Sequence, residues 1–425
     1  MRNVEPVDGH DIYTRFSAGR KVIVTLVLVW SSLQSTISST AIVSAIPEVA
    51  ATFHTTKTII AMSNALMLLF QVVGPILYAP IANTFGRRPI LLTANALLVV
   101  FSLGTALAPN LAAYFILRFL SAPQVTATQV IGTVVIGDIY PAIARGRALG
   151  WLMLSTTLAP GLAPLLGGVI ITFTSWRVIF WTQTGMAALS VILLSVFLPE
   201  TIHEKKTQLF AELAPREKVE RFIRLINPSE IIILLVSSRS LAINAVAVAA
   251  LHWNQYSILT PIREVLSPRF HLTSPLEAGL FYLAPCAGYV SGTYCGGQLS
   301  DWVVRRYMRR RGRRVPEDRL NSVAGGVGVA MPACVLMYGW AVQQAVGGIP
   351  LVVIALFMQG VCQAVAFVSL NAYCIDVMEG TSKSSLAVAG SYMIRNVSGA
   401  VGTAACLPAI EAIGVGGVQI QQKLL

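Results

Sequence analysis

Eleven stretches of this 425-residue chain are long and apolar enough to cross a lipid bilayer. The hydrocarbon core offers backbone N–H and C=O groups no partner, so a crossing segment satisfies them internally, as a helix of roughly 20 mostly apolar residues. The stretches lie near 22–46, 58–82, 89–108, 111–137, 148–173, 177–198, 229–253, 276–300, 322–341, 348–375 and 385–413. Only 12% of the residues are charged and 55% are hydrophobic, too little charge to cover a soluble surface. A mean hydropathy of +0.68 excludes disordered, fibrous and nucleic-acid-binding classes despite the net charge of +12. Met1–Arg20 is polar and precedes a run too long for a signal-peptide core, so the first span is expected to be retained. Cys286, Cys295, Cys334, Cys362, Cys374 and Cys406 lie in apolar stretches without metal-ligand spacing and read as small core residues.

The basic residues explain the charge excess. Arg2, Arg15, Arg20 and Lys21 precede span one, Arg87 and Arg88 follow span two, and Arg145 and Arg147 follow span four. A block from Lys205 to Arg224 follows span six, another from Arg305 to Arg319 follows span eight, and Lys383 follows span ten. The intervening loops hold only Lys57, Arg177, Arg263 and Arg269. Basic residues stay on the cytoplasmic side, so the N-terminus is cytoplasmic. The one long charged connection divides the chain into a cytoplasmic segment 1–21, a six-helix bundle 22–198, a linker 199–228, a five-span bundle 229–417 and a short polar tail 418–425. Ala211–Asn227 fits either an amphipathic surface helix or a solvated linker.

An internal repeat underlies the two bundles. Span two ends in Gly74-Pro75-Ile76-Leu77-Tyr78-Ala79-Pro80-Ile81-Ala82-Asn83-Thr84-Phe85-Gly86-Arg87-Arg88-Pro89, and span eight in Gly296-Gly297-Gln298-Leu299-Ser300-Asp301-Trp302-Val303-Val304-Arg305-Arg306. Two spans later, Asp138 in Gly137-Asp138-Ile139-Tyr140 matches Asp376 in Cys374-Ile375-Asp376-Val377. Parallel half-repeats of this kind build one large class of transporters. The Gly-Pro…Phe-Gly-Arg-Arg-Pro stretch resembles the loop two–three signature of the major facilitator superfamily, and Arg118 matches that family's span-four motif. Ala163-Pro164-Leu165-Leu166-Gly167-Gly168 resembles its antiporter motif, with Ala163 in place of the first glycine. With Trp176–Trp181, Pro199-Glu200-Thr201, Trp253–Tyr256 and Pro316–Leu320, the chain looks like a fungal member of the drug:proton antiporter family with twelve spans, over about Phe16 to Gly416. Two departures stand out. Asn83-Thr84 replace the usual Asp-Arg, and Val418–Leu425 is too short to form a twelfth span, which reads as an incomplete or alternatively spliced product or as a working eleven-span protein.

Charge inside the membrane is costly and marks candidate sites. Arg118 lies about 20 residues, or roughly 30 Å of helix, before Asp138, which puts it in the outer half of the membrane. The resemblance implies that it faces the central cavity; bonding to helix carbonyls is the structural alternative. Arg395 in span eleven divides evenly between cavity and packing, whereas Arg239 snorkels to the cytoplasmic interface. Topology brings Asp138 and Arg87 to the cytoplasmic face as a latch, with a matching latch of Asp301 or Asp376 with Arg305 or Arg306. The expected gate is therefore Asn83, Arg87, Arg88, Asp138, Asp301, Arg305 and Asp376. Pro164, Gly167 and Gly168 are expected at a close helix contact. Uncharged cavity candidates are Gln34, Ser35, Asn64, Gln71, Gln124, Asn254, Tyr256, Tyr282, Tyr289, Gln359, Gln363 and Asn371. No span has an acidic residue near its centre, which leaves His252, with an intrinsic pKa near neutrality, and Glu48 as candidate proton carriers.

The sequence thus predicts an all-α polytopic membrane protein with the major facilitator fold of two pseudo-symmetric helical bundles. The expected activity is proton-coupled efflux of small organic compounds by alternating access. Alternatives are a proton-coupled importer and a truncated non-transporting isoform or sensor. An enzyme is disfavoured, since there is no metal-ligand cluster, nucleophile motif or cofactor loop. Expected partners are a small-molecule substrate, protons and the lipid bilayer, with no nucleic acid, no cofactor beyond the proton gradient, a monomeric state and a plasma-membrane location.

Overall fold

A computed structural model describes residues 15–202, 217, 220, 227–259, 262–271, 275–313, 315–324, 327–344, 347–378 and 384–424. Among these, every regular element is a helix. Eight helical segments have the length and apolarity of a span, or nine if the bent pair Ser229–Ser237 and Arg239–Leu259 counts as one. The two remaining expected spans, eight and eleven, correspond to the helices Leu283–Arg311, whose last turns are rich in arginine, and Ser384–Leu424. The described residues thus form an all-α protein with helices long and apolar enough to cross a membrane.

Prolines and glycines shape the first spans. Span one runs as Ala18–Thr40, tightens into a 3-10 segment Ala41–Ala45 and resumes as Ile46–Thr52, with Pro47 in the first turn, where a missing N–H costs nothing. Span two breaks between Lys57–Phe70 and Val73–Phe85. Pro75 cannot donate to the Gln71 carbonyl four residues back, and the Thr126 hydroxyl of span four donates to it instead, at 2.7 Å. A Cβ on Gly74 would lie 2.4 Å from the Pro123 carbonyl oxygen, so glycine is what lets spans two and four close on each other. Gly86, at φ +112°, turns the chain into span three, Arg87–Ala106.

Three expectations are corrected. Span seven is not one helix over 229–253: Ser229–Ser237 meets Arg239–Leu259 at 103°. The break leaves Arg239 exposed as the first residue of the span instead of deep within it, so it has no need to snorkel. Span eight continues to Arg311, where Gly312 caps it in the left-handed conformation, φ +72°. The last helix runs from Ser384 to Leu424, so residues 418–424 continue a helix and do not form a separate tail. Of Ala211–Asn227, the expected surface helix, all but Glu217, Glu220 and Asn227 lie outside the described residues.

The apolar core is joined at one end of the molecule and divided at the other. Towards the basic loops, one cluster takes Leu28, Ile136 and Leu149 from the first half together with Ile375, Val388 and Tyr392 from the second. Towards the opposite face, Ile42, Tyr114, Trp176 and Phe180 form a core within the first half, while Leu259, Tyr282, Tyr338 and Leu356 form another within the second. The halves therefore share one core at the end of the basic loops and keep separate cores at the other, where they touch at single seams such as Leu68 against Tyr256 and Ala400.

Span five, Ala142–Phe173, packs on both halves, and its glycines are not equivalent. A Cβ on Gly167 would lie 2.4 Å from the Ala41 carbonyl oxygen, whereas one on Gly168 would meet nothing within 4 Å. Of the two expected contact glycines, only Gly167 is at a close contact, against the 3-10 segment of span one. Gly167→Ala should therefore lower stability by about 1–3 kcal/mol, and Gly168→Ala by no more than about 0.5 kcal/mol. Thermal unfolding of the two purified variants measures both; equal effects would contradict this packing.

Candidate functional site

The joined end is sealed by charge. Arg87 opens span three; its Nε donates to Asp138 Oδ2 at 3.3 Å, and a second nitrogen donates to Asn83 Oδ1. The backbone N–H of Arg87 donates to Glu200 Oε1 at 2.9 Å, so the carboxylate at the end of span six caps the start of span three. Arg319 holds the same position ahead of span nine. Its Nε donates to Asp376 Oδ2 at 2.5 Å and its Nη1 to Asp301 Oδ1 at 3.2 Å. The half-repeat thus recurs as geometry, with Arg87 bonding Asn83 and Asp138 as Arg319 bonds Asp301 and Asp376.

Two contacts tie these triangles across the halves. Arg145 Nη1 donates to the second oxygen of Asp376 at 3.1 Å, so this carboxylate lies between an arginine of each half. Asn83 Nδ2 donates to the Ser385 hydroxyl of span eleven. The Asp376 and Arg319 side chains are 1% and 0% exposed. Gly146 admits the group, since a Cβ there would lie 2.3 Å from Asp301 Oδ1. Arg145, Arg319, Asp301 and Asp376 together are neutral, the condition for burying four charges in a dry interface.

The expected partner Arg305 is displaced from this arrangement. Its side chain is exposed, and the arginine on Asp301 is Arg319. Arg88 is also exposed and donates to the Ser195 carbonyl at 2.6 Å, not to Asp138. Arg145, Arg319 and Glu200 were missed as gate residues. A signal for Arg319 existed: it is the last basic residue before the next apolar run, as the Arg87-Arg88 pair is before span three, and the arginine-rich stretch after span eight obscures that match.

Above the seal lies a packed layer of uncharged polar groups. Gln34 donates to Asn95 Oδ1 at 3.1 Å, Tyr78 donates to Gln124 Oε1 at 2.5 Å, and Gln129 donates to Thr36 at 2.8 Å. Gln359 and Gln363 pair at 3.4 Å. Arg118 is 1% exposed. Its Nη2 donates to Asn64 Oδ1 at 2.8 Å and to the Ser39 carbonyl at 3.2 Å, while Nε and Nη1 have no partner among the described residues. Arg395 lies over the Tyr392 ring at 4.7 Å, and its Nε donates to His252 Nε2 at 3.4 Å. A bond of that direction requires the His252 proton on Nδ1, the neutral tautomer. Asn254 Nδ2, the Tyr289 hydroxyl and Gln359 Oε1 are buried without a hydrogen-bond partner among the described residues.

At the divided end a cavity of ≈ 460 Å³ opens between the halves. Thr40, Asn64, Pro164, Tyr256, Tyr282 and Thr403 are among the residues that line it. Among the expected cavity residues, Asn64, Tyr256 and Tyr282 reach it. Arg118 does not, since it stands directly behind Asn64; His252 lies one turn below Tyr256, with ring centroids 5.1 Å apart. Glu48 does not line the cavity, and its Oε2 is buried without a partner among the described residues.

Removing one partner of a buried ion pair strands the other charge, at a cost of about 3–5 kcal/mol. Arg319→Gln should therefore reduce stability by that order, and Arg305→Gln by less than about 1 kcal/mol. Chemical denaturation or thermal melting of both variants distinguishes the two arginines; a larger loss at Arg305 would refute the assignment.

Residues 28–403 match the Major Facilitator Superfamily model. An uncharacterized transporter of Schizosaccharomyces pombe is 27% identical over 379 residues, 84% of this chain and 76% of the relative. The MFS antiporter QDR3 of Candida albicans is 23% identical over 93% of this chain and 74% of its own, and the efflux pump radE of Floropilus chiversii is 25% identical over 87% and 71%. Two solved structures share the fold at 14% identity. The human organic anion transporter MFSD10 aligns with a TM-score of 0.71 over 95% of this chain and 96% of its own. The proton:xylose symporter XylE of E. coli aligns with a TM-score of 0.70 over 96% and 95%. The chain belongs to the Major Facilitator Superfamily and is a membrane transporter, not an enzyme.

Proposed function

We propose that this transporter exports small organic compounds in exchange for protons by alternating access, from the plasma membrane and as a monomer. The observation that carries the reading is the cavity open at the outer end, above an uncharged polar layer and a closed ionic seal. An exporter passes through that arrangement on releasing its cargo, and an importer on taking it up. The antiporter and efflux-pump relatives support the direction. Cytoplasmic loading requires the seal to part, with Asn83, Arg87, Asp138, Arg145, Asp301, Arg319 and Asp376 as its moving contacts.

The wall chemistry bears on the cargo. Asn64, Tyr256 and Tyr282, with Thr40, Thr58 and Thr403, offer amide, phenol and hydroxyl groups on a mostly apolar surface, and Arg118 stands behind Asn64. Such a wall fits amphipathic or weakly acidic molecules better than polyamines, which need carboxylates. Proton exchange falls to His252, whose neutral ring faces the Arg395 guanidinium. A proton on Nε2 would abolish that hydrogen bond and set two cations together, so protonation and the Arg395 contact exclude each other. No bound cofactor takes part in this cycle.

Arg118 is the residue to test. Arg118→Ala should reduce proton-driven efflux at least tenfold with normal surface abundance, because removing a buried charge lowers an insertion cost. Arg118→Lys should be intermediate, since an ammonium replaces a planar five-donor fork. Efflux and surface abundance measured on the same cells decide this. An Ala variant that pumps normally would assign Arg118 to packing, and substrate accumulation driven inward by the proton gradient would identify an importer.

A further inference from the structure

A second concavity of ≈ 270 Å³ lies outside the transport path, on the seam between spans five and eight. Its walls are Trp151 and Leu154 from span five and Val290 and Tyr294 from span eight, with Gln298 and Arg147 towards the cytoplasmic end. Trp151 is 46% and Tyr294 60% exposed, so the groove faces the bilayer and not the interior. The two helices touch closely beneath it, since a Cβ on Gly297 would lie 3.6 Å from Arg147 Cα. An apolar slot open to hydrocarbon is the shape that takes an acyl chain.

The charge at its end selects the headgroup. The Arg147 backbone donates to Asp301, which fixes the residue against the seal. Its guanidinium is exposed and makes no hydrogen bond or ion pair with the described residues. Arg305 lies seven residues after Gln298, on the same helical face, and is also exposed. Basic residues at this depth face the cytoplasmic leaflet, where anionic lipids reside. We propose that the groove binds a phospholipid of the cytoplasmic leaflet, with one acyl chain between Trp151 and Tyr294 and its anionic headgroup on Arg147. The occupant bridges the two halves of the transporter where they abut, and the site is independent of the cargo and of the direction of transport.

The test uses the full chain in detergent micelles with phosphatidylserine or phosphatidylcholine carrying a photoreactive acyl chain. Phosphatidylserine should label the peptides containing Trp151 or Tyr294 and raise the melting temperature more than phosphatidylcholine does. Arg147→Gln should weaken phosphatidylserine labelling about fivefold, the attraction of roughly one basic residue for an anionic leaflet. Tyr294→Ala, an exposed change that does not threaten folding, should weaken labelling by both lipids. Equal labelling by the two lipids, unchanged labelling of Arg147→Gln, or full competition by glycerophosphoserine, which has the headgroup without chains, would each overturn the proposal.

Discussion

A carboxylate survives in a dry helix interface only when cations lie against it, and Asp376 is held by two arginines from different halves of the chain. Everything at the cytoplasmic end is arranged around that requirement. Gly146 lets the backbone approach Asp301, and Ser300 accepts from Arg319 Nη1 at 3.0 Å. The shared apolar core from Leu28 to Tyr392 keeps water from the group. Burial and pairing depend on each other, because the pair is strong where water is absent and the closed core keeps water away.

That coupling gives the proposed cycle its two states. Breaking Arg145 from Asp376 inside a dry interface is costly, but parting the halves also admits water, which solvates the separated charges. The closed state is therefore paired and dry, and the open state unpaired and wet, with a barrier between them. The first half carries a weaker version of the same device. Asn83 stands where its counterpart is Asp301, so the Arg87 guanidinium pairs with the Asp138 carboxylate and the Asn83 amide, and Asn83 also reaches Ser385 across the seam. The departure at Asn83 exchanges a charge within the first half for a contact between halves.

Much of this was legible in the sequence because lipid imposes a simple rule on composition. Apolar run length located the spans, and the recurrence of Asp138 as Asp376 exposed the repeat. What was not legible depended on distances between helices. The bend at Ser238 falls inside one apolar run, which run length alone does not register. Arg305 and Arg319 are indistinguishable as residue types, and only the three-dimensional register assigns Asp301 to the second. Gly167 and Gly168 are adjacent and chemically identical, yet a helix turns them about 100° apart, towards span one and towards open space. Arg118 had the right depth, but its retreat behind Asn64 is a matter of side-chain packing.

The central claim is that the cytoplasmic contact between halves must open in every turnover. Asn83 and Ser385 touch across it, from spans two and eleven. The direct measurement is transport by an Asn83→Cys/Ser385→Cys variant, in a background with the exposed Cys295 replaced by serine, before and after oxidative cross-linking. The account predicts normal transport when reduced, loss of transport when cross-linked, and recovery on adding a thiol reductant. A fully cross-linked protein that still transports at the reduced rate would contradict it.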